Sequence, residues 1–381
     1  MSISAHLFKY IDINPKELLA KGTLAKKISM DKLQPFCRDV PEYEIAKFNG
    51  GTRFRNGDTI MARITPCLEN GKTAMVNILE PDEVGFGSTE FIVFRAKEGY
   101  TDPNFVYYLV KSSFVRDPAM KSMVGSSGRQ RVQTDVVQNL IVPFPSLLEQ
   151  RKIASILKSL DDKIALNTAI NDNLEQQAKT LYQQMFIDNP VPGGYIGTLS
   201  DIADITMGQS PNGSSYNEDG NGTVFFQGRA EFGFRFPSVR LYTTEPKRMA
   251  CANDTLMSVR APVGDLNVAY TDCCIGRGLA AIHSKSNQQS FVLYTMFSLR
   301  KQLDVFNGEG TVFGSINRTS LIELPIFIPS DREIVNFEAI VAPIDAAIRN
   351  NYEEICRLEK IRDTLLPKLM SGELDVSAIQ L

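Results

Sequence analysis

Two stretches of the chain match each other without a gap and decide its fold. Residues 144–186 read FPSLLEQRKIASILKSLDDKIALNTAINDNLEQQAKTLYQQMF, and residues 328–370 read IPSDREIVNFEAIVAPIDAAIRNNYEEICRLEKIRDTLLPKLM. At a constant offset of 184 positions, Asp161 pairs with Asp345 and Asn167 pairs with Asn351. Upstream, GDTIMARITP (57–66) resembles NDTLMSVRAP (253–262), and GSTEFIVFRA (87–96) more weakly resembles GRGLAAIHSK (276–285). The chain is therefore a duplicated unit, a globular segment followed by a long helix.

Apolar residues recur at alternating four- and three-residue spacing in both copies, which predicts two long α-helices that pair as a coiled coil. The positions expected to pair are Ile153, Leu157, Leu160, Ile164, Asn167, Leu174 and Leu181 in the first copy, and Phe337, Val341, Ile344, Ile348, Asn351, Ile355, Leu358 and Leu365 in the second. The two asparagines occupy the same central position, where a buried Asn would fix the register of the helices. A solvated position in a long helix is the alternative interpretation.

The order of the segments constrains how the helices can pair. The first helix leads out of one globular segment and into the other, so antiparallel pairing places one segment at each end. We expect two α/β (α+β) globular heads in tandem, residues 1–145 and 189–329, with pseudo-two-fold symmetry. Their helical spacers are expected at residues 146–188 and 330–381.

Composition indicates an ordinary globular protein, with 43% hydrophobic and 22% charged residues. No apolar run approaches the roughly 18 residues of a membrane span, and the N-terminus lacks the apolar core of a signal peptide, so we expect a cytoplasmic protein. The net charge of −3 argues weakly against a nucleic-acid partner. However, residues 330–381 hold 6 basic and 10 acidic residues, whereas residues 1–145 hold 19 and 16. The acidity therefore lies mostly on the last helix.

The motifs of catalysis are missing from the sequence. The six cysteines form no CxxC pair and there are two histidines, so neither a disulfide framework, a zinc site nor a His-based triad is expected. The [N/D]PP[Y/F] loop of a methyltransferase does not occur. Gly71-Lys72-Thr73 resembles the end of a phosphate-binding loop, but Pro66 stands where its first glycine should be. The GEGTVF stretch (308–313) likewise fails as a dinucleotide motif. We therefore expect no enzymatic activity.

Several segments resemble those of one known family, the specificity subunits of type I restriction-modification systems. They are PFPSLLEQRKIASILKSLDDKIALN (143–167), SDIADITMGQSPNGSSYN (200–217), FFQGRAEF (225–232), SVRAPVGDLN (258–267) and LLPKLMSGELDV (365–376). The resemblance implies two target-recognition domains that each read one half of an asymmetric, bipartite double-stranded DNA site. It also implies helices that dock methyltransferase (modification) subunits, usually two, with restriction/translocase subunits joining that core. S-adenosylmethionine, ATP and magnesium would belong to those partners, so this chain itself is expected to hold no cofactor.

Arginine reads guanine, and asparagine or glutamine reads adenine, so we look for these residue types in polar, glycine-rich loops. Candidates in the first head are Arg53, Arg55, Arg63, Lys72, Arg129, Gln130 and Arg131. Candidates in the second head are Gln209, Ser210, Asn212, Ser215, Tyr216, Gln227, Arg229, Arg260 and Arg277. Each could instead be a solvated or structurally paired loop residue. The corresponding loops SSGRQR (126–131) and GTVFGS (310–315) differ, so the heads are expected to read different sequences.

A protein-interaction scaffold without DNA binding is the alternative function. In that interpretation the paired helices would bind partners and the heads would bind peptides. The mild acidity favours it, whereas the loops that carry Arg and Gln favour DNA. A free-standing nuclease or methyltransferase fits worst, because its motifs are missing.

Overall fold

The chain divides into two compact units in the computed structural model, which describes residues 3–126, 128–190, 192–308 and 314–378. The first unit comprises Met1–Asn167 and Glu353–Leu381, and the second comprises Thr168–Tyr352. Both boundaries fall inside long helices, the first long helix at Leu147–Tyr182 and the second long helix at Asp331–Ser371. Each unit therefore contains one head and a segment of each long helix. None of the helices within the described ranges has the length and hydropathy that crossing a membrane requires.

The head of the first unit is built on two sheets. Within the described ranges, an antiparallel sheet is formed by Ile11–Ile13, Phe91–Ala96, Thr59–Ala62 and Thr73–Met75, in that order. A mixed sheet is formed by Glu44–Lys47, Leu24–Ile28, Gly85–Gly87 and Thr52–Phe54, in that order. A short ribbon pairs Ile3–His6 with Ile141–Phe144. The helices are Leu7–Tyr10, Pro103–Lys111, Arg116–Lys121 and Thr134–Gln138, with a 3-10 turn at Met30–Lys32.

The head of the second unit repeats this plan. Its antiparallel sheet is formed by Ala203–Met207, Leu279–Ser284, Thr255–Ser258 and Leu266–Val268. Its mixed sheet contains Tyr216–Asn217, Leu241–Thr243, Thr223–Phe226, Cys273–Ile275 and Met249–Ala250, and a ribbon pairs Tyr195–Thr198 with Pro325–Ile328. The helices are Leu199–Ile202, Gln289–Ser298, Arg300–Asp304 and Arg318–Ile322. Short 3-10 turns occupy Gly213–Ser215, Arg229–Glu231 and Val305–Asn307, and Gln183–Asp188 forms a π-helical turn.

Strand register confirms the duplication residue by residue. Thr59 lies opposite Phe94 in the first head, and Thr255 lies opposite Ile282 in the second. The weaker sequence match, which set residues 87–96 against 276–285, is therefore out of register by one residue, because Phe94 corresponds to Ile282 and not to His283. In both heads one strand pair is parallel, Leu24–Ile28 with Gly85–Gly87 and Thr223–Phe226 with Cys273–Ile275.

Apolar packing ties each head to its segments of the long helices. The helix Pro103–Lys111 begins where the Asp102 side chain accepts a hydrogen bond from the backbone N–H of Phe105, and the proline at its first position suits that site. Six consecutive residues of this helix, 105–110, are buried, together with Leu157 of the first long helix. In the second unit, Phe186 of the π-helical turn and Phe337 of the second long helix pack on Phe291 of the head. Burial of these large side chains is the main stabilising contribution to each junction.

An aspartate with a tyrosine and an arginine partner also lies at each junction; Asp161 is buried and Asp345 is partly buried. In the first unit, Asp161 accepts hydrogen bonds from the Tyr108 hydroxyl at 2.7 Å and from Arg362 of the second long helix at 2.8 Å. In the second unit, the equivalent Asp345 accepts from the Tyr294 hydroxyl at 2.9 Å and from Arg235 of the head at 3.1 Å. Arg235 also pairs with Glu175. We call these two groups the junction locks.

Within each unit the two long helices run antiparallel. In the first unit Asp161 bonds Arg362, and Asn167 bonds Glu354. Residues further along the first long helix therefore contact residues that come earlier in the second. In the second unit Asn351 donates to Asn171, which in turn donates to the carbonyl of Ile348. The antiparallel pairing predicted from the sequence is thus present in both units.

The central asparagines form hydrogen bonds within the helix pairing. Asn167 is 1% exposed and donates to Glu354 at 2.8 Å, and Asn351 is partly buried and donates to Asn171 at 2.9 Å. One contact between the helices lies outside the expected positions: Asp161, next to the partly buried Leu160, is buried and bonds Arg362. The junction lock therefore adds a polar contact beside the apolar ones.

Candidate nucleic-acid interface

Loops of the second head bring four arginines together around an open groove with a volume of 370 Å³. Its polar and charged lining residues are Ser210, Gln227, Arg229, Glu231, Arg240, Ser258, Arg260 and Arg277. We call this the arginine groove. Five of these residues are DNA contacts predicted from the sequence, and Arg240 is the arginine that sequence reasoning missed. The structure therefore collects candidates from four separate loops into one site.

Glycines allow the loops of the arginine groove to pack closely. Arg277 lies in the turn between Cys273–Ile275 and Leu279–Ser284, and Gln227 follows the strand Thr223–Phe226. A Cβ added at Gly276 would lie 2.8 Å from the carbonyl oxygen of Gln227, which is too close for a larger residue. The backbone N–H of Arg277 donates to the Ser210 hydroxyl at 3.2 Å. These contacts hold the backbone that presents Arg277 and Gln227, which are exposed.

The four arginines differ in how far the protein itself occupies them. Arg229 pairs with Asp265, and Arg240 pairs at 2.9 Å with Glu231, which is 5% exposed. Arg260 and Arg277 are exposed and form no ion pair with any residue in the described ranges. Placing uncompensated guanidinium groups beside one another is unfavourable unless water or an anion faces them. Arg260 and Arg277 are therefore the groups of this groove best able to accept an anionic partner.

The loop at residues 209–216 has a mainly structural role. Ser215 is 7% exposed, and its hydroxyl bonds the carbonyl of Asn212 and the hydroxyl of Thr243, each at 2.7 Å. Its predicted contact with DNA does not fit this burial. Tyr216 is partly buried and its hydroxyl donates to the carbonyl of Pro211. Gln209 and Asn212 remain exposed.

A carboxylate organises two of the predicted arginines of the first head. Glu90 accepts from Nε of Arg63 at 3.1 Å and from Nε and Nη2 of Arg131 at 3.0 and 2.8 Å. Hydrogen bonds from Arg131 and then Arg63 outweigh burial and lower the pKa of Glu90, so the carboxylate is charged at neutral pH. Two guanidinium groups on one carboxylate leave one positive charge in excess. The arrangement fixes Arg131 in place, which sequence reasoning could not anticipate.

The remaining candidates of the first head are divided between structural and exposed roles. Lys72 donates to the carbonyl of Met30 at 2.8 Å, and Arg55 pairs with the buried Glu17 at 2.7 Å, so both have structural partners. Arg53 lies over the Phe48 ring at 5.6 Å. Arg129 is exposed and Gln130 is partly exposed.

The comparison of SSGRQR with GTVFGS falls partly outside the described residues, because the structure does not describe residues 127 and 309–313. The same holds for the GEGTVF stretch.

A second polar cluster lies on the same head, away from the arginine groove. Ligand atoms of Cys251, Asp254 and His283 all lie within 4.8 Å of one another. Sequence reasoning missed this group and expected no metal site, because the cysteine and the histidine are far apart in sequence and match no spacing motif. Strand pairing of Thr255 with Ile282 is what brings Asp254 and His283 together.

The observations above define a class: a duplicated chain whose two units share one fold, each with arginines on the loops of an α/β head. Residues 21–176 match a family model described as the type I restriction modification DNA specificity domain. The putative type I restriction enzyme MjaX specificity subunit of Methanocaldococcus jannaschii is 30% identical, over 92% of this chain and 85% of that protein. The MjaIX specificity subunit of the same organism is 24% identical, over 72% and 70%.

A solved structure has the same fold. The S subunit of a type I restriction-modification system from M. genitalium superposes with a TM-score of 0.58 over 97% of this chain and 96% of that chain, at 16% identity. The chain belongs to the family of type I restriction-modification specificity subunits. It is a non-catalytic, DNA-recognising subunit, as its sequence predicted, and the comparisons give no support to the scaffold interpretation.

Proposed function

We propose that the two heads, residues 1–145 and 189–329, read the two halves of an asymmetric, interrupted double-stranded DNA site. The spacers, residues 146–188 and 330–381, would dock two methyltransferase subunits, and restriction subunits would join where the host supplies them. The observation that carries this proposal is the arginine groove. It presents Gln227 together with Arg260 and Arg277, which form no ion pair with any described residue, on a head that occurs twice. Chromosomal DNA of prokaryotes such as the relatives lies in the cytoplasm, where we place the chain.

The side chains of the arginine groove can hydrogen-bond to base edges and phosphates of DNA. Arg260 and Arg277 can each donate two parallel hydrogen bonds to guanine or to a phosphate, and Gln227 can pair with adenine. Arg229 and Arg240 are already paired with carboxylates, so we assign them to holding the loops and adding positive potential. Gln209 and Asn212 are exposed on the neighbouring loop and extend the same surface.

The first head would use a different set. Arg129 and Gln130 lie on an exposed loop, and Arg131 is held beside them by Glu90. Among the described residues, the bonds of Arg131 use Nε and Nη2, so Nη1 is the nitrogen left for DNA. Arg53, Arg55, Arg63 and Lys72 would contribute positive potential, because most of them already have structural partners. Because the two heads would contact DNA with different side chains, the two half-sites would differ in sequence.

Exposed apolar side chains on the long helices support the docking of partner subunits. They are Leu148, Leu166, Ile170, Val335, Ile340 and Ile361, each 38–59% exposed. Burying large apolar side chains of a helix against a partner subunit is favourable, because it removes them from water. The number of methyltransferases follows from the duplication, since two equivalent helix segments offer two equivalent docking surfaces.

Methylation mapping tests the proposal. The chain is co-produced with its methyltransferase in a host without other methylation, and modified positions are read across the genome. We expect an asymmetric motif with an unspecified gap. A continuous or palindromic motif would contradict two unlike readers.

Arg277→Ala and Arg277→Lys refine the test. A base contact predicts that both variants relax one position of the second half-site, at about 1–3 kcal/mol, because lysine lacks the planar fork. A phosphate contact predicts that only the alanine variant weakens binding, evenly across sequences. Arg318→Ala, at an exposed arginine of the same unit outside the groove, is the matched control. Wild-type motif and efficiency in both Arg277 variants would remove the arginine groove from the interface.

Arg129→Ala and Arg131→Ala test the first head in the same way. Relaxation of one position of the first half-site indicates guanine reading, at about 1–3 kcal/mol. A uniform loss of affinity with an unchanged motif indicates a phosphate contact instead.

A further inference from the structure

We propose that Cys251, Asp254 and His283 form a binding site for one divalent cation of the zinc class. Cys251 and Asp254 lie in the turn between the strands Met249–Ala250 and Thr255–Ser258, and His283 lies on the strand Leu279–Ser284. Their ligand atoms are all within 4.8 Å of one another, and Nδ1 of His283 is 2.6 Å from Oδ1 of Asp254. Among the described residues, three different metal-ligand chemistries converge here.

The combination of ligands selects the metal. A thiolate and an imidazole favour zinc and its close relatives over magnesium or calcium, and one carboxylate is common in such sites. Three protein ligands leave a fourth position for water. With metal–ligand bonds of about 2.0–2.3 Å, tetrahedral ligand atoms lie about 3.3–3.8 Å apart. The widest spacing must therefore close by about 1 Å, and the 2.6 Å between Asp254 and His283 must open by about 0.7 Å. The exposed side chains of Cys251 and His283 can turn to allow both changes.

The turn that carries two of the ligands is already held in place. Asp254 is 3% exposed, and its Oδ2 accepts a hydrogen bond from the backbone N–H of Cys251 at 2.8 Å. Asp272 accepts from the backbone N–H of Ala252 at 2.8 Å and adds a second negative charge beside the turn. Arg349 of the second long helix donates to the side chain of Asn253 at 2.9 Å and to the carbonyl of Tyr270 at 2.7 Å. Because these hydrogen bonds already order the turn, cation binding would cost little conformational entropy there.

The position of the cluster assigns the cation a structural role. Asp254 precedes the strand Thr255–Ser258, whereas Arg260 of the arginine groove follows its other end. The cation would therefore not touch DNA in that groove. It would join the turn to the neighbouring strand at the side of the head that Arg349 holds, and so stabilise the second unit.

Cobalt binding provides the direct test. The full chain, without a histidine tag, is stripped with a chelator, kept reduced and titrated with Co²⁺. We expect saturation at one equivalent with a thiolate-to-cobalt charge-transfer absorption, displaced by Zn²⁺. Cys251→Ser should abolish the charge-transfer band, whereas Cys37→Ser, at another exposed cysteine, should keep it. No saturable binding at micromolar cobalt, or a band that survives Cys251→Ser, would overturn the proposal.

A second variant separates ligand loss from misfolding. His283→Gln alters an exposed side chain and should lower zinc affinity by more than about tenfold, a loss that even outer-shell substitutions can cause. Zinc should raise the thermal midpoint of the wild-type chain, but not that of Cys251→Ser or His283→Gln, whose apo midpoints should match the wild type. Asp254→Asn is less decisive, because Asp254 also holds the turn. Unchanged zinc affinity in His283→Gln would exclude the site.

Discussion

Replacing Arg362 with methionine should strongly destabilise the first unit. Its guanidinium lies 2.8 Å from Asp161, and both side chains are 6–7% exposed. The variant leaves Asp161 charged and buried, with the Tyr108 hydroxyl as its remaining bond among those described above. Breaking a buried pair from one side costs about 3–5 kcal/mol. For a unit of this size each kcal/mol corresponds to about 2–4 °C, so its unfolding midpoint should fall by about 6–20 °C.

Scanning calorimetry of the full chain measures this loss, because the second unit serves as an internal reference. Adding Asp161→Asn to Arg362→Met should restore most of the stability, since the neutral amide can still accept from Tyr108. Arg357→Met, at an exposed position of the same helix, should change stability by no more than about 0.5 kcal/mol. If Arg362→Met matched that control, or if the double variant were no better than the single one, the buried charge would not be the cause.

Three further outcomes follow from the contacts described above. Arg131 holds the pKa of Glu90 below its ordinary 4.5, so the stabilisation is full above pH 4.5 and is lost as pH falls through the lowered pKa. The thermal midpoints of wild type and Glu90→Gln should therefore converge in acid, and a pH-independent gap would contradict this. Asn351→Leu should destabilise the second unit by about 1–3 kcal/mol in calorimetry by leaving buried Asn171 without a donor, and Asn171→Leu added to it should recover much of the loss. Phe186→Ala should cost about 3–5 kcal/mol in urea unfolding, and a loss below about 1 kcal/mol would mean that the core closes around the cavity.

The duplication could be predicted from the match between two stretches of sequence, and the helix pairing from the regular spacing of apolar residues. The heptad spacing located both long helices, and Asn167 is buried at the helix interface as the pattern indicated. The same pattern did not indicate that Asp161 is buried. A charged side chain is ordinarily assigned to solvent, and only its distant partners Tyr108 and Arg362 make its burial favourable.

The sequence indicated which residue types form the candidate site, but not which of those side chains already have a partner within the protein. Loop composition found Arg260 and Arg277, which the fold brings into one groove. It could not separate them from Lys72, which donates to a carbonyl, or from Ser215, which is buried. Those distinctions depend on partners far away in sequence, such as Met30 and Thr243. The same limit hid the cluster around Cys251.

The junction locks obtain their cations from different places, and this restricts recombination between the two halves. Arg235 belongs to the same half as Asp345, so a chain made from two second halves would keep each aspartate neutralised. Arg362 belongs to the opposite half from Asp161, and the matching residue of the first half is Ala178. Two first halves would each leave a buried carboxylate without its arginine. A chain with two copies of the second half should therefore be more stable than a chain with two copies of the first half.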